Sequence, residues 1–139
     1  MPIVSVTRFR PRSLLSMPEF VFHAGRSMAQ IRKAEGWLAG AVKRDDDQAF
    51  WTLTVWRDEA AMLAYVVSGP HGAALPRLRE IAVEASMVRW VADTDALPDW
   101  SEGVRRMRHE GRASRLKRPG PHHDGLSYPD SAQSFGSRL

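Results

Sequence analysis

The chain predicts an α+β domain with the element order β-α-β-β-α-β, a four-stranded antiparallel sheet with both helices on one face. Three observations carry this. Two short runs alternate in period two and are rich in β-branched and aromatic residues, "IVSVTRFR" and "AFWTLTVWR". Two longer segments, beginning near Met17 and Asp58, place apolar residues at helical spacing. The polar turn "DDDQ" joins two strand-like runs closely enough to make a hairpin.

Taken in order, residues 3–10 form the first strand, with Val4 and Val6 on one face and Ile3 and Phe9 on the other. Ser16 and Glu19 have the spacing of a capping box, and Pro18 is tolerated in a first turn, so a helix is expected over 17–35, ended by Gly36. Its apolar stripe reads as Val21, Ala24, Met28 and Ile31. "WLAGAVKR" (37–44) and residues 49–57 make the hairpin. Asp58 caps the next helix, which "SGPH" stops at Gly69-Pro70. A further helix carries Leu75, Leu78 and Ile81, with a restart at Pro76. Residues 84–92 supply the fourth strand, and a short helix follows from Asp99 with Trp100, Val104 and Met107 on its apolar side.

The domain therefore spans residues 1–112, and 113–139 reads as a flexible tail rich in Pro, Gly, Ser and His. Residues 1–100 carry 12 basic and 12 acidic side chains, whereas 101–139 carry 8 and 4, so the net charge of +4 belongs to the C-terminal segment 101–139. Without interleaved aromatics the tail reads as solvated, its His122 and His123 included, and not as a nucleic-acid binder. Cysteine is absent, which removes disulfides and thiolate chemistry. No signal-peptide pattern and no long apolar run is visible, so a cytoplasmic protein with no membrane partner is expected. The sheet face opposite the helices is too apolar to stay wet, and a homodimer, sheet against sheet, is the expected cover.

Among residues that carry chemistry, His71 stands out. It lies between Gly69 and Gly72, which let backbone approach a ligand closely, and its pKa suits acid–base work or ligation. The alternative is an ordinary surface histidine at a helix break. Tyr65 offers a phenol in the same region. Trp51, Trp56 and Trp90 come from strands and either pack the core or wall a flat apolar pocket. His23, Ser27 and Gln30 make one polar stripe on the first helix, solvated or cavity-lining, with Phe20 and Ala24 contesting that side. Arg8, Arg10 and Arg89 sit on strands, where charge needs a reason. No P-loop, dinucleotide fingerprint, zinc spacing or nucleophile elbow occurs.

The run "FWTLTVWRDEAAMLAYVVSGPHGAALPRL" resembles the dimeric α+β-barrel superfamily, and within it a bacterial family of unknown function grouped with spheroidene monooxygenase and antibiotic-biosynthesis-type monooxygenases. The resemblance covers about residues 3–110. "LPDW" followed by "RRM" and "GR" looks like that family's C-terminal continuation. It implies a homodimer with a pocket in each subunit and oxygenation of a small apolar or aromatic compound, with either no cofactor or haem. It makes His71, in the "GPH" motif, a catalytic residue or haem ligand. Tyr65 falls where many antibiotic-type members carry a helix histidine, a departure from their pattern. Trp51, Trp56, Trp90, His23 and Phe20 become the expected substrate-binding residues. The competing expectation is a non-catalytic binding dimer on the same fold.

Overall fold

A computed structural model describes residues 1–126, 128 and 136–139. The order is β1 (Ile3–Pro11), a single 3-10 turn (Leu14–Ser16), α1 (Met17–Ile31), β2 (Trp37–Arg44), β3 (Phe50–Trp56), α2 (Glu59–Val67), α3 (Gly69–Ile81), β4 (Ala82–Val91), α4 (Trp100–Glu110), β5 (Arg112–Ala113) and β6 (Gly136–Arg138). The β-α-β-β-α-β core is present, and its strands are antiparallel throughout.

The sheet has six strands, not four, in the order β5-β4-β1-β3-β2-β6. The two extra strands come from the segment expected to be a free tail. β5 pairs with β4 and β6 with β2, so each takes an edge that would otherwise present unpaired backbone groups. Residues 114–120 follow β4, through Ser114 N–H to Ala85 O and Gly120 N–H to Val83 O, both 2.8 Å. His123 is buried, not solvated. Its Nδ1 accepts from the Ala85 N–H at 3.2 Å and its Nε2 donates to Ser114 O at 2.7 Å. Of the expected flexible tail, residues 127 and 129–135 lie outside the described residues.

Period-two alternation splits the sheet into two faces. On one, Phe9 and Phe50 hold Phe20 of α1 between them, at ring distances of 4.8 and 4.4 Å. Further along, Ile3 and Trp56 pack on Ile31 and Met62. Of the stripe expected on α1, Ile31 is buried and Ala24 and Met28 are half-buried, but Val21 is 55% exposed and Phe20 takes the core position at that end. The 3-10 turn runs directly into α1, so Ser16 is already helical (φ −84°, ψ −10°) and its side chain caps nothing. Glu19, freed from capping, accepts from the Arg77 guanidinium on α3. α1 also ends four residues earlier than expected, at Ile31.

On the other face, Val4, Val6, Trp51, Leu53, Val55 and Val88 form the second core. It is covered by the chain itself. Met107 of α4 is fully buried, Trp100 and Val104 pack beside it, and Tyr128 closes one end. Gly103 lets α4 sit close, since a Cβ there would lie 3.5 Å from Val6. The patterning that called for a second copy is thus satisfied within one chain. Burial of such side chains contributes about 1.5–3 kcal/mol each.

The helix cap expected at Asp58 forms, the residue being extended and accepting from Ala61 N–H at 2.8 Å, and Asp99, the expected start of the last helix, caps it in the same way, accepting from Glu102 N–H at 3.1 Å. The break between α2 and α3 also forms, at Ser68. α3 then runs unbroken through Pro76, so the expected restart does not occur.

Candidate functional site

The site is built where α2 hands over to α3. Trp56, the last residue of β3, faces the helices and donates its indole N–H to Thr54 Oγ1 at 3.0 Å. That fixes the indole as a wall. The Tyr65 ring lies 5.2 Å from it, and the His71 ring lies 4.8 Å beyond Tyr65, both tilted by under 40°. Three aromatic groups from one strand and two helices thus stack in a row.

Gln30 of α1 holds this row in place. Its Nε2 donates to Ser68 O at 2.9 Å, and its Oε1 accepts from the His71 N–H at 2.8 Å. One amide therefore donates to the carbonyl that also accepts from the Gly72 N–H at 3.0 Å, and accepts from an N–H freed at the start of α3. Gly69 adopts φ +53°, and a Cβ there would come within 3.3 Å of that amide. Gly72 has a different reason. A Cβ on it would lie 2.4 Å from Val67 O, so only glycine allows α3 to start so close to α2.

The side chains are then set electrostatically. Tyr65 donates its hydroxyl to Ser27 O at 3.1 Å, and burial pushes its pKa up to about 12, so it is a neutral phenol at physiological pH. His71 Nδ1 lies 2.9 Å from Val66 O, which assigns the proton to Nδ1 and leaves Nε2 as an acceptor. Burial holds the His71 pKa below the usual histidine range, with the Val66 contact partly opposing it. Among the described residues, Nε2 makes no hydrogen bond.

A groove of about 570 Å³ opens between α1 and α2 beside this row. Ala29, Ala61, Ala64 and Pro70 give it apolar walls, and Tyr65 and Gln30 line it as polar groups. Its size suits a small organic molecule. His71 is not part of that lining. It stands behind Tyr65, which is the aromatic group that a molecule in the groove would touch.

Of the expected site residues, His71, Tyr65 and Trp56 are brought together. Trp51 and Trp90 are not. They lie on the opposite face of the sheet, because Trp51 differs from Trp56 by an odd number of residues along one strand and Trp90 shares the register of Val4. Trp51 donates to Asp45 at 2.9 Å, and Trp90 lies under the Arg106 guanidinium at 4.7 Å. Phe20 is core between Phe9 and Phe50. His23 is 3.5 Å from Glu19 and about 10 Å along α1 from Gln30, so neither reaches the groove. Gln30 and Ser27 are the residues that matter on that polar stripe, and their spacing was the signal for them.

A second polar centre lies on the α4 side. Arg8, 1% exposed, pairs with Glu84 and, at 3.4 Å, with Asp45, and its guanidinium lies 3.6 Å from the Tyr128 ring. Asp45 also accepts from the N–H groups of Asp47 and Ala49 at 2.9 and 3.0 Å, which closes the β2–β3 turn. This gives the strand arginine its reason. Arg89 by contrast is exposed.

Among the described residues no cluster of His, Asp or Glu is placed to hold a metal ion. Haem is one of the two cofactor options that the resemblance implies, and His71, its expected ligand, is not among the residues that line the groove, so the groove itself offers no imidazole to an iron. No described helix is long and apolar enough to cross a membrane.

The comparisons agree with the architecture. A family model described as a domain of unknown function, DUF3291, matches residues 16–135. No curated protein matches. Among solved structures, a variant of SnoaB, a cofactor-independent oxygenase from Streptomyces nogalater, is 19% identical with a TM-score of 0.57, over 70% of this chain and 98% of that one. Rv0793 from Mycobacterium tuberculosis is 12% identical with a TM-score of 0.62, over 69% and 99%. An antibiotic biosynthesis monooxygenase is 13% identical with a TM-score of 0.59, over 66% and 99%. These likenesses show a shared ferredoxin-like α+β fold.

Proposed function

Taking as premise that the chain belongs to the DUF3291 family, whose members have no assigned function, we propose that it is a monooxygenase-like enzyme acting on a small apolar or aromatic compound in the groove between α1 and α2. The observation that carries this is the row Trp56–Tyr65–His71, locked by Gln30 at the edge of an apolar groove. The oxygenase and the monooxygenase among the structural neighbours support the reading by analogy of fold.

In this reading the substrate lies against Tyr65 and supplies the electrons itself. An activated methylene loses its proton, its carbon passes electrons to O₂, and the products are a carbonyl and water: R₂CH₂ + O₂ gives R₂C=O + H₂O. Four electrons leave the carbon and four reduce the oxygen, so no further reductant is needed. Tyr65, neutral to about pH 12, would turn its one hydroxyl proton from Ser27 O to developing negative charge on oxygen, without itself adding charge. His71 positions the phenol by stacking, and since it lies outside the groove lining the methylene proton is lost to solvent water. Every one of these side chains comes from one chain. A homodimer belongs to the proposal through the superfamily resemblance alone, and sedimentation velocity checks it.

The test is oxygen uptake by the purified protein with a panel of aromatic compounds bearing an activated methylene or phenol, followed by mass spectrometry under ¹⁸O₂. One labelled oxygen in the product, with loss of turnover in Tyr65→Phe, supports the enzyme. Saturable binding of the same compounds with no oxygen consumed would make the protein a non-catalytic binder instead. That second reading has its own observation, the absence of His71 from the groove lining.

A further inference from the structure

We propose that the molecule taken by the groove is an acidic apolar compound held as its anion, and that Arg26 and Lys33 recognise the charge. This deepens the reading above and rests on the groove being the substrate site. Both residues line the groove. Arg26 lies on α1 and Lys33 in the turn that follows its end at Ile31, so one cation comes from the helix and the other from the turn after it. Neither has a carboxylate within salt-bridge distance among the described residues. Arg26 has only the Phe22 ring, 5.6 Å from its guanidinium carbon. Glu35, the carboxylate of the lining, lies 3.6 Å from Arg57.

Some exposed cations are matched, since Arg77 meets Glu19 and Glu80 and Lys117 meets Glu80, while Arg32, Arg44, Arg79 and Arg89 have no salt bridge among the described residues. What sets Arg26 and Lys33 apart is that both border the apolar slot. The slot itself selects the rest of the ligand. Ala29, Ala61 and Ala64 are small, so a flat apolar body can lie between the helices while its charged end meets the rim. Filling the slot displaces water from around Arg26 and Lys33, which strengthens their attraction for an anion. Tyr65 is a neutral phenol and adds no opposing charge.

The chemistry follows from the charge. The ligand acid releases its proton to solvent and the two cations hold the conjugate base, a phenolate, enolate or carboxylate. For a phenol or enol, the anion is the form that gives up electrons to O₂ more readily, so the same contact that binds the substrate selects its reactive form.

The probes are 1-anilinonaphthalene-8-sulfonate and N-phenyl-1-naphthylamine, which share one aromatic skeleton and differ in the anionic group. Fluorescence titrations use the full chain, the double variant Arg26→Gln/Lys33→Gln, and Ala64→Trp, with circular dichroism as the check on folding. All three positions are exposed, so the fold is expected to hold. The expected result is about tenfold weaker sulfonate binding in the double variant, with the neutral probe changed by less than about twofold. Ala64→Trp should displace both probes. Unchanged sulfonate affinity in the double variant, or equal weakening of both probes, would overturn the proposal. If that happens while Ala64→Trp still displaces both, the groove survives as a binding site and only the anion recognition falls. If Ala64→Trp displaces neither, the groove is not the binding site and both readings fall.

Discussion

The Tyr65 and His71 rings lie 4.8 Å apart although the two residues belong to different helices separated by an extended serine. Their contact is not set by either helix. It is set from α1, where one glutamine bonds the backbone on both sides of the break and one carbonyl, Ser27 O, takes the phenol hydroxyl. The site is thus a joint between three helices.

That joint predicts the effect of removing Gln30. Gln30→Ala loses the bonds to Ser68 O and His71 N–H and leaves both half-exposed groups to water. The net cost is about 2 kcal/mol, two hydrogen bonds at roughly 1 kcal/mol each. A urea unfolding midpoint measures it. Hydrogen exchange should locate it, since the His71 amide loses its acceptor and should exchange much faster than amides in the centre of the sheet. Uniform exchange across the chain would show that Gln30 does not hold the break.

Tyr65 predicts a loss of stability at high pH. Its folded pKa, about 12, is above the ordinary tyrosine value of 10.0. A group with a raised folded pKa binds its proton more tightly when folded, so its contribution is complete below pH 10 and is lost as pH rises toward 12. Denaturant midpoints should therefore fall between pH 10 and pH 12 in the wild type, and fall less in Tyr65→Phe. At pH 7 the same variant keeps the ring row and loses only the bond to Ser27 O, costing about 1 kcal/mol. An identical high-pH slope in both proteins would place the phenol in water.

His71 predicts the opposite flank. Its folded pKa is lowered, burial being the larger cause. The folded state then holds the neutral ring, so its contribution is complete above the ordinary value of 6.5 and is lost as pH falls through the lowered folded pKa. Stability measured downward from pH 7 should decline in the wild type, and His71→Phe should flatten that part of the curve while keeping the stack on Tyr65. Proton NMR of the imidazole gives an independent check, with a midpoint below 6.5 expected.

Much of this was readable from residue types, and the failures have physical causes. The element order of the core, the hairpin, the Asp58 cap and the start of α4 near Asp99 follow from local chemistry, which the sequence states directly. The meeting of Tyr65, His71 and Trp56 was partly legible because Gly69-Pro70 marks the break. The grouping of Trp51 and Trp90 with Trp56 was not, because it ignored the alternation that sends Trp51 and Trp56 to opposite faces. The tail was misread for another reason. Composition says little about a segment whose backbone finishes two sheet edges and whose histidine bonds to main chain. Arg8 was seen to need a partner, but Asp45 and Glu84 are 37 and 76 residues away, and no spacing rule reaches so far.

The Arg8 cluster gives the most severe prediction. The guanidinium is 1% exposed and faces Glu84, Asp45 and, at 3.7 Å, Asp47, under the ring of Tyr128. Arg8→Met keeps the length of the stem and removes the charge, so Asp45 and Glu84 are left buried without their shared cation. Such a loss costs about 3–5 kcal/mol, far more than an exposed pair. Arg10 still reaches Glu84 at 3.0 Å, which limits the damage on that side, but Asp45 also organises the β2–β3 turn and has no second arginine among its contacts. The triple variant Arg8→Met/Asp45→Asn/Glu84→Gln removes the orphaned charges as well. It should recover part of the loss in a thermal melt, while probe binding in the groove on the other face of the sheet stays unchanged in both variants. A melt of Arg8→Met within about 1 kcal/mol of wild type would mean that water reaches the cluster and screens it.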